Sequence, residues 1–400
     1  MSYSRREFGK LALAGLPAAA VLGRAESLFG AFAQTKPNSL INGVQIGAIT
    51  YSFRQMPDQS AEATLKYILE SGISAVEIMG GPVESFAGAP RREGRGGGAG
   101  RAGGGGGGRG PAGRGREGAA EIPPGAKTGS WNGVTCVIPE EGARGGGGGG
   151  GRGRGNAANM TPEEQAAQAA EQAVQQEQAK KLKEWRTTVS MEPFKKLRKM
   201  YNDAGVSIYA WKALNANMSD EEFEYIFNVA EALGATHTTL ELPAGENAAA
   251  QLKRIGDFAM KKKIYAAYHT HAQGSMTAFD QAFAISKGNM ANVDLGHWTA
   301  GGNKGGSQMD FLNKYHARTS SFHLKDRTTP EHCELNLPWG TGETPIKDIL
   351  QLVRKNKWKI PASVEFEYAI PEGSDAVQEV RKCVEYCKTA LNAPMTTASR

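Results

Sequence analysis

Tyr265-Ala266-Ala267-Tyr268-His269-Thr270-His271 is a short apolar run that ends in imidazoles. Four other runs share this plan: Thr238-Thr239-Leu240-Glu241, Ala291-Asn292-Val293-Asp294, Ser320-Ser321-Phe322-His323 and Ala362-Ser363-Val364-Glu365. Each closes on a residue type that holds divalent metals. Segments with helical periodicity separate the runs, the pattern of parallel strands joined by crossover helices. Parallel strands that all end in ligand-type side chains at one pole place those side chains around a shared site. Carboxylates and imidazoles without a cysteine cluster suit one divalent metal of the Mn²⁺, Co²⁺, Zn²⁺ or Mg²⁺ kind rather than a soft-metal site.

Outward from these runs, strand-like segments are expected at 44–51, 75–79, 207–211, 237–242, 264–271, 292–295, 320–324 and 362–366. Amphipathic helical stretches lie between them at 61–71, 220–233, 248–262, 278–286, 308–315, 345–355 and 374–391. Eight strands alternating with helices is the count of a closed (β/α)₈ TIM barrel, expected over 40–392 with a tail at 393–400. A low-complexity Gly/Arg-rich insertion at 82–160 follows strand two. Residues 91–155 hold 28 of the 52 glycines, a composition that cannot bury enough apolar surface to offset chain entropy, so disorder is expected there. An island at 121–141 with Trp131, Val134, Val137 and Ile138 is expected to order and fold over the barrel mouth. Thr161-Pro162-Glu163-Glu164 then starts a helix over 161–185, with Thr161 as N-cap and Glu164 as its capping-box partner.

The net charge of +6 is unevenly distributed. Residues 91–155 carry eleven Lys/Arg against five Asp/Glu, and residues 1–33 four against two, which leaves the rest at −2. A body of that charge does not point to nucleic acid. Gly-Arg repeats bind RNA in other settings, but this tract lacks aromatic interleaving apart from Trp131 and reads as a linker. Ser4-Arg5-Arg6-Glu7-Phe8-Gly9-Lys10 is a twin-arginine export motif, followed by an apolar stretch at 11–22 and the small-x-small signal Ala31-Phe32-Ala33. Residues 1–33 are therefore expected to be a signal peptide and the mature protein to be exported to the periplasm. The apolar stretch is shorter than the about 20 residues a bilayer needs, so no membrane span is expected after cleavage. Four cysteines form no evident framework. Cys383 and Cys387 read as ordinary buried thiols on one helical face, and no role is assigned to Cys136 or Cys333.

At the strand ends the chain resembles the sugar phosphate isomerase/epimerase family, the xylose isomerase-like TIM barrels. The resemblance rests on Tyr268-His269-Thr270-His271, Val293-Asp294-Leu295-Gly296-His297-Trp298, His323-Leu324-Lys325-Asp326-Arg327, Trp339-Gly340-Thr341-Gly342-Glu343 and Val364-Glu365-Phe366-Glu367. It covers roughly 40–80 and 190–392. The resemblance implies one divalent metal held by Glu, Asp, His and Glu from strands five to eight. Asp294, His323 and Glu365 match the last three positions. His269 stands where many relatives carry Glu, so either imidazole replaces carboxylate or Glu241 of strand four contributes instead.

Side chains two apart on a strand share a face, so an inner residue can reach metal while the outer one reaches substrate. Glu241 and Glu365 are the candidate catalytic bases, and His271, His297, Lys325 and Glu367 the candidate substrate-binding groups. Asp326 and Arg327 read as a surface pair, Trp211, Trp298 and Trp339 as apolar walls, and His237 as the far pole of its strand. The expected reaction is isomerisation or epimerisation of a sugar or keto-sugar through proton abstraction next to a carbonyl. Lyase or hydrolase action on a 3-keto-glycoside uses the same enolate logic. A non-catalytic barrel that binds a sugar or a partner is the alternative of another class, and self-association is left open.

Overall fold

The computed structural model describes residues 36–90, 126–138 and 161–394. The expected signal segment, most of the Gly/Arg tract and most of the 393–400 tail lie outside these residues. Eight parallel strands form the barrel: β1 (Val44–Ile49), β2 (Ala75–Met79), β3 (Ser207–Lys212), β4 (His237–Glu241), β5 (Tyr265–His269), β6 (Asn289–Asp294), β7 (Thr319–Leu324) and β8 (Ala362–Val364). Each pairs with its sequence neighbour, and β1 pairs with both β2 and β8, which closes the ring. A two-residue strand, Leu40–Ile41, runs antiparallel to the start of β1.

The outer layer comprises α1 (Ala61–Glu70), α2 (Glu192–Asp203), α3 (Asp220–Leu233), α4 (Ala248–Lys262), α5 (Asp280–Ile285), α6 (Gln308–Tyr315), α7 (Ile346–Asn356) and α8 (Ala376–Asn392). Helix starts follow their caps: Ser219 with Glu222 and Ser307 with Asp310 form capping boxes at α3 and α6, satisfying backbone N–H groups that have no partner within the helix. The buried apolar faces of these helices, such as Phe223, Ile226 and Phe227 of α3, pack on the outward side chains of the strands. Among the described residues, no helix is long and apolar enough to cross a membrane.

Residues 82–86, expected to begin the insertion, instead belong to the helix Gly80–Phe86, which buries Val83 and Glu84. The 27-residue helix Pro162–Thr188 has the expected Thr161/Glu164 capping box, runs past residue 185 and buries none of its residues. Its end is fixed by Arg186, whose guanidinium reaches Glu84 at 2.7 Å and Glu222 at 3.1 Å. Part of the 121–141 island is a hairpin, Thr128–Trp131 and Val134–Val137, turned by Asn132-Gly133 with both φ positive. It docks on the loop after β7, at the C-terminal pole, where Trp131 lies 4.8 Å from the His332 ring and Cys136 is disulfide-bonded to Cys333. No role had been expected for either cysteine. Cys383 and Cys387 are buried free thiols.

The lower layer of the barrel interior is polar and tightly packed. A Cβ on Gly47 would stand 2.8 Å from the ring of Tyr209, so any larger residue there must displace that buried ring. The Tyr209 hydroxyl is 2.6 Å from Ser363 Oγ, and His237 lies with Nε2 2.9 Å from Ser321 Oγ. Burial holds the His237 pKa down to about 4, against the usual value near 6.5 in an unfolded chain. The unfolded chain therefore binds a proton below pH 6.5 that the native state refuses, and this stability is lost as pH falls from 6.5 toward 4. At pH 5 the loss is about 2 kcal/mol. His237→Asn is expected to lose that much less stability between pH 7 and pH 5 than the parent protein, as read by urea unfolding at the two pH values.

Candidate metal centre

The C-terminal ends of β5 to β8 deliver His269, Asp294, His323 and Glu365 to one buried spot, each offering a ligand atom within 4.8 Å of the others. Asp294 closes β6, and its Oδ1 accepts from the backbone N–H of His297 at 2.7 Å, capping the short helix Leu295–Ala300. Its Oδ2 is buried with no hydrogen-bond partner among the described residues, and Lys325 Nζ stands 3.1 Å away. Burial pushes the Asp294 carboxyl up to about 7, and Glu365 adds to this while Lys325 opposes it.

Both histidines of the cluster are oriented from behind. Asn292 spends its amide N–H groups on Glu77 Oε2 and Ser321 Oγ, so its Oδ1 can only accept from His269 Nδ1, 3.1 Å away. That puts the His269 proton on Nδ1 and leaves the lone pair of Nε2 facing Asp294 Oδ2 at 3.9 Å. Burial, helped by the Lys212 charge, holds His269 well below its ordinary range, the neutral form a ligand requires. His323 is held between two carboxylates, Nδ1 2.8 Å from Glu365 Oε2 and Nε2 2.8 Å from Glu77 Oε2. Burial alone would lower its pKa, but Glu77 and Glu365 outweigh it and raise the value to about 10. Burial would likewise raise Glu77, yet His323 holds it down at about 2. Burial would raise Glu365 as well, but Lys325 and His323 hold it well below the usual carboxylate range.

These residues fit a divalent cation. The donor set is two imidazoles and two carboxylates, and the buried Asp294 Oδ2 makes no hydrogen bond among the described residues, its nearest charged neighbour being Lys325 Nζ at 3.1 Å. Two positive groups, protonated His323 and Lys325, stand among the carboxylates where such an ion would supply the charge. To hold a cation, His323 would give up its Nδ1 proton, and Glu77 on Nε2 would keep the ring in the ligating tautomer.

Around the cluster lies a second layer. Glu241, the other expected fourth ligand, stands outside it: Oε1 is 2.9 Å from Lys212 Nζ, and Oε2 is 3.3 Å from His271 Nδ1 with no hydrogen bond made by either atom among the described residues. His271 and His297 meet edge-on at 4.7 Å, and His269, His271 and His297 form a second close group. Burial, followed by Lys325 and Arg327, keeps His297 well below its ordinary range. Lys325 Nζ links Glu365 at 2.9 Å and Glu367 at 2.7 Å, so the expected pairing of inner and outer residues on β8 is bridged by one ammonium.

Three expectations are corrected here. Asp326 and Arg327 are no surface pair: Asp326 accepts from the backbone N–H groups of Gly340, Gly342 and Thr344, and Arg327 is buried against His297. Trp211 and Trp298 line no site; both are fully buried, against α3 and Phe311 respectively. Trp339 packs edge-on against Tyr386 of α8. Sequence reasoning missed Glu77, Asn292, Lys212 and Arg327. The signal for Glu77 was a lone carboxylate within the apolar run Ala75-Val76-Glu77-Ile78-Met79.

Fold and site together define a (β/α)₈ barrel with a buried His/Asp/Glu centre at the C-terminal ends of its strands. The chain belongs to the xylose isomerase-like TIM barrel family, whose model matches residues 164–387. Similar solved structures include a sugar phosphate isomerase/epimerase from Parabacteroides distasonis ATCC 8503, at 14% identity over 90% of this chain and 96% of that one, TM-score 0.48. A xylose isomerase domain protein from Alicyclobacillus acidocaldarius subsp. acidocaldarius shares 12% identity over 88% of this chain and 100% of that one, TM-score 0.49. A probable 3-DHS dehydratase from Bacillus anthracis shares 10% identity over 86% and 99%, TM-score 0.49. At these identities they carry nothing about chemistry. No curated protein matches the chain.

Proposed function

We propose that this protein is a divalent-metal-dependent sugar isomerase or epimerase that abstracts a proton next to the carbonyl of a sugar or keto-sugar. The observation that carries the reading is the buried four-residue donor cluster lying beside a carboxylate, Glu241, that is not part of it. Membership of the xylose isomerase-like family supports it. When bound, a divalent cation supplies Lewis-acid polarisation of a carbonyl. Glu241 Oε2, without a hydrogen bond, is the proton acceptor, and the Lys212 ammonium on Oε1 keeps the carboxylate in place. Glu365 is the second carboxylate, engaged by His323 and Lys325, for proton return. Lys325, His297, His271 and Glu367 at the mouth meet sugar hydroxyls and the developing oxyanion.

Export by the twin-arginine route to an oxidising compartment is part of the same proposal, supported by Ser4-Arg5-Arg6-Glu7-Phe8 and by the Cys136–Cys333 pair. Metal analysis of purified protein is expected to find one divalent ion per chain. Glu241→Gln is expected to keep that ion and slow deuterium uptake from solvent into a keto-sugar by roughly 10²- to 10⁴-fold. A stoichiometric metal with no uptake in the parent protein across a sugar panel would instead identify a sugar-binding barrel without catalysis.

A further inference from the structure

We propose that Arg327 is a positioning residue that fixes the proton of His297 on Nε2, so that His297 meets substrate as a hydrogen-bond donor and cannot act as a metal ligand. A guanidinium has five N–H donors and no acceptor. Arg327 Nη1 lies 2.6 Å from His297 Nδ1, so Nδ1 must be the acceptor and carries a lone pair. The ring proton then sits on Nε2. That atom faces the site, 3.9 Å from Glu367 Oε2, on a ring that meets His271 edge-on. The reference to substrate rests on the reaction proposed above; the tautomer does not.

Both partners are built into place. The His297 backbone N–H is tied to Asp294 Oδ1 at 2.7 Å. Arg327 is buried, and its Nη2 donates to the Glu334 carbonyl. That carbonyl is aimed by two consecutive non-glycine residues in the left-handed region, Cys333 at φ 73° and Glu334 at φ 50°. Such conformations persist only where the surroundings enforce them. Here the enforcement comes from the disulfide to Cys136 and from Thr328, whose hydroxyl donates to the His332 carbonyl at 2.6 Å and accepts from the Leu335 N–H at 2.8 Å. The disulfide therefore braces the loop that seats Arg327.

A consequence concerns metal count. His269, His271 and His297 are close enough to suggest a second cation site. With Nδ1 occupied by Arg327 and Nε2 protonated, His297 has no lone pair to give, and the centre holds one ion.

Nitrogen NMR of the full-length protein with isotope-labelled histidine, loaded with Zn²⁺, tests this, the His297 signals being assigned by their loss in His297→Gln. The expected result is the Nε2–H tautomer pattern in the parent protein and one bound Zn²⁺. Arg327→Met is expected to shift His297 to a mixed or Nδ1–H pattern, and Arg327→Lys, which keeps a donor, to restore the parent pattern. An Nδ1–H or doubly protonated His297 in the parent protein would overturn the proposal, as would two bound Zn²⁺ with His297 ligated or a pattern unmoved in Arg327→Met. The parent spectrum suffices if a variant fails to fold. None of these readouts requires turnover, so an absent isomerase activity and a wrong tautomer are separately visible.

Discussion

Glu365→Gln is expected to abolish deuterium uptake into a keto-sugar and to empty the metal centre, the largest loss of any single change at the site. Glu365 is one of the four donors of the cluster, and its Oε2 meets two cationic groups at once, His323 at 2.8 Å and Lys325 at 2.9 Å. An amide is nearly isosteric but presents only one oxygen, without charge. Asp294 is then the only carboxylate left in the four-residue donor set, whose two imidazoles bring no negative charge. His323 and Lys325 both meet Oε2, so an amide that keeps its oxygen there turns its N–H₂ to the other position and offers a cation no second oxygen. Loss of a general acid–base group is worth roughly 10²–10⁴ in rate, and loss of the cation removes oxyanion stabilisation worth roughly 10²–10³ more. Metal analysis and solvent exchange, measured on the same preparation, check both halves. A variant that retains a full equivalent of metal and more than a tenth of the exchange rate would show that Glu365 neither holds the ion nor moves the proton.

Glu77→Ala is expected to destabilise the metal-free protein by about 3–5 kcal/mol, the range for removing one partner of a buried ion pair and stranding the other. Glu77 is completely buried and carries three hydrogen bonds, from Thr239 at 2.6 Å, Asn292 at 3.1 Å and His323 at 2.8 Å. It joins β2 to β4, β6 and β7 across the barrel interior. Its removal leaves the His323 imidazolium with Glu365 at 2.8 Å and Asp294 at 4.0 Å, both on the Nδ1 side, and deprives Asn292 of the acceptor that sets its amide orientation. The His269 tautomer loosens in consequence. Urea unfolding in the presence of a chelator gives the stability change, and an effect below about 1 kcal/mol would mean that His323 is neutral in the folded protein.

The barrel was legible because strands and helices left different periods in the sequence, and because the strands end in chemistry. Helices α3, α4 and α6 fall on their expected bounds, Asp220–Leu233, Ala248–Lys262 and Gln308–Tyr315. Two of these begin at capping boxes, which are local signals. Asp294, His323 and Glu365 were legible for a similar reason, since each closes an apolar run. The choice between His269 and Glu241 was not. Ladder register pairs these two residues side by side, so strand spacing gives both the same height. What separates them is Lys212 of β3, which engages Glu241 while Asn292 orients His269. Glu77 was hidden because its partner His323 lies 246 residues away, across the ring. Arg327 was misread because an adjacent Asp-Arg pair looks alike whether it faces solvent or faces inward to two separate networks.

The bond between Cys136 and Cys333 spans 197 positions, and so turns most of the barrel into a covalent circle running from the hairpin through β3 to β7. A single backbone scission between 139 and 160 would open that circle without dividing the molecule, the two pieces staying joined through sulfur until a thiol reagent parts them. The same scission between 91 and 125 falls outside the circle and leaves β1 and β2 attached to the remainder by noncovalent contacts alone: ladder pairing, packing and the polar bonds of Glu77 and Glu84. The inserted tract thus has two halves with opposite topological standing.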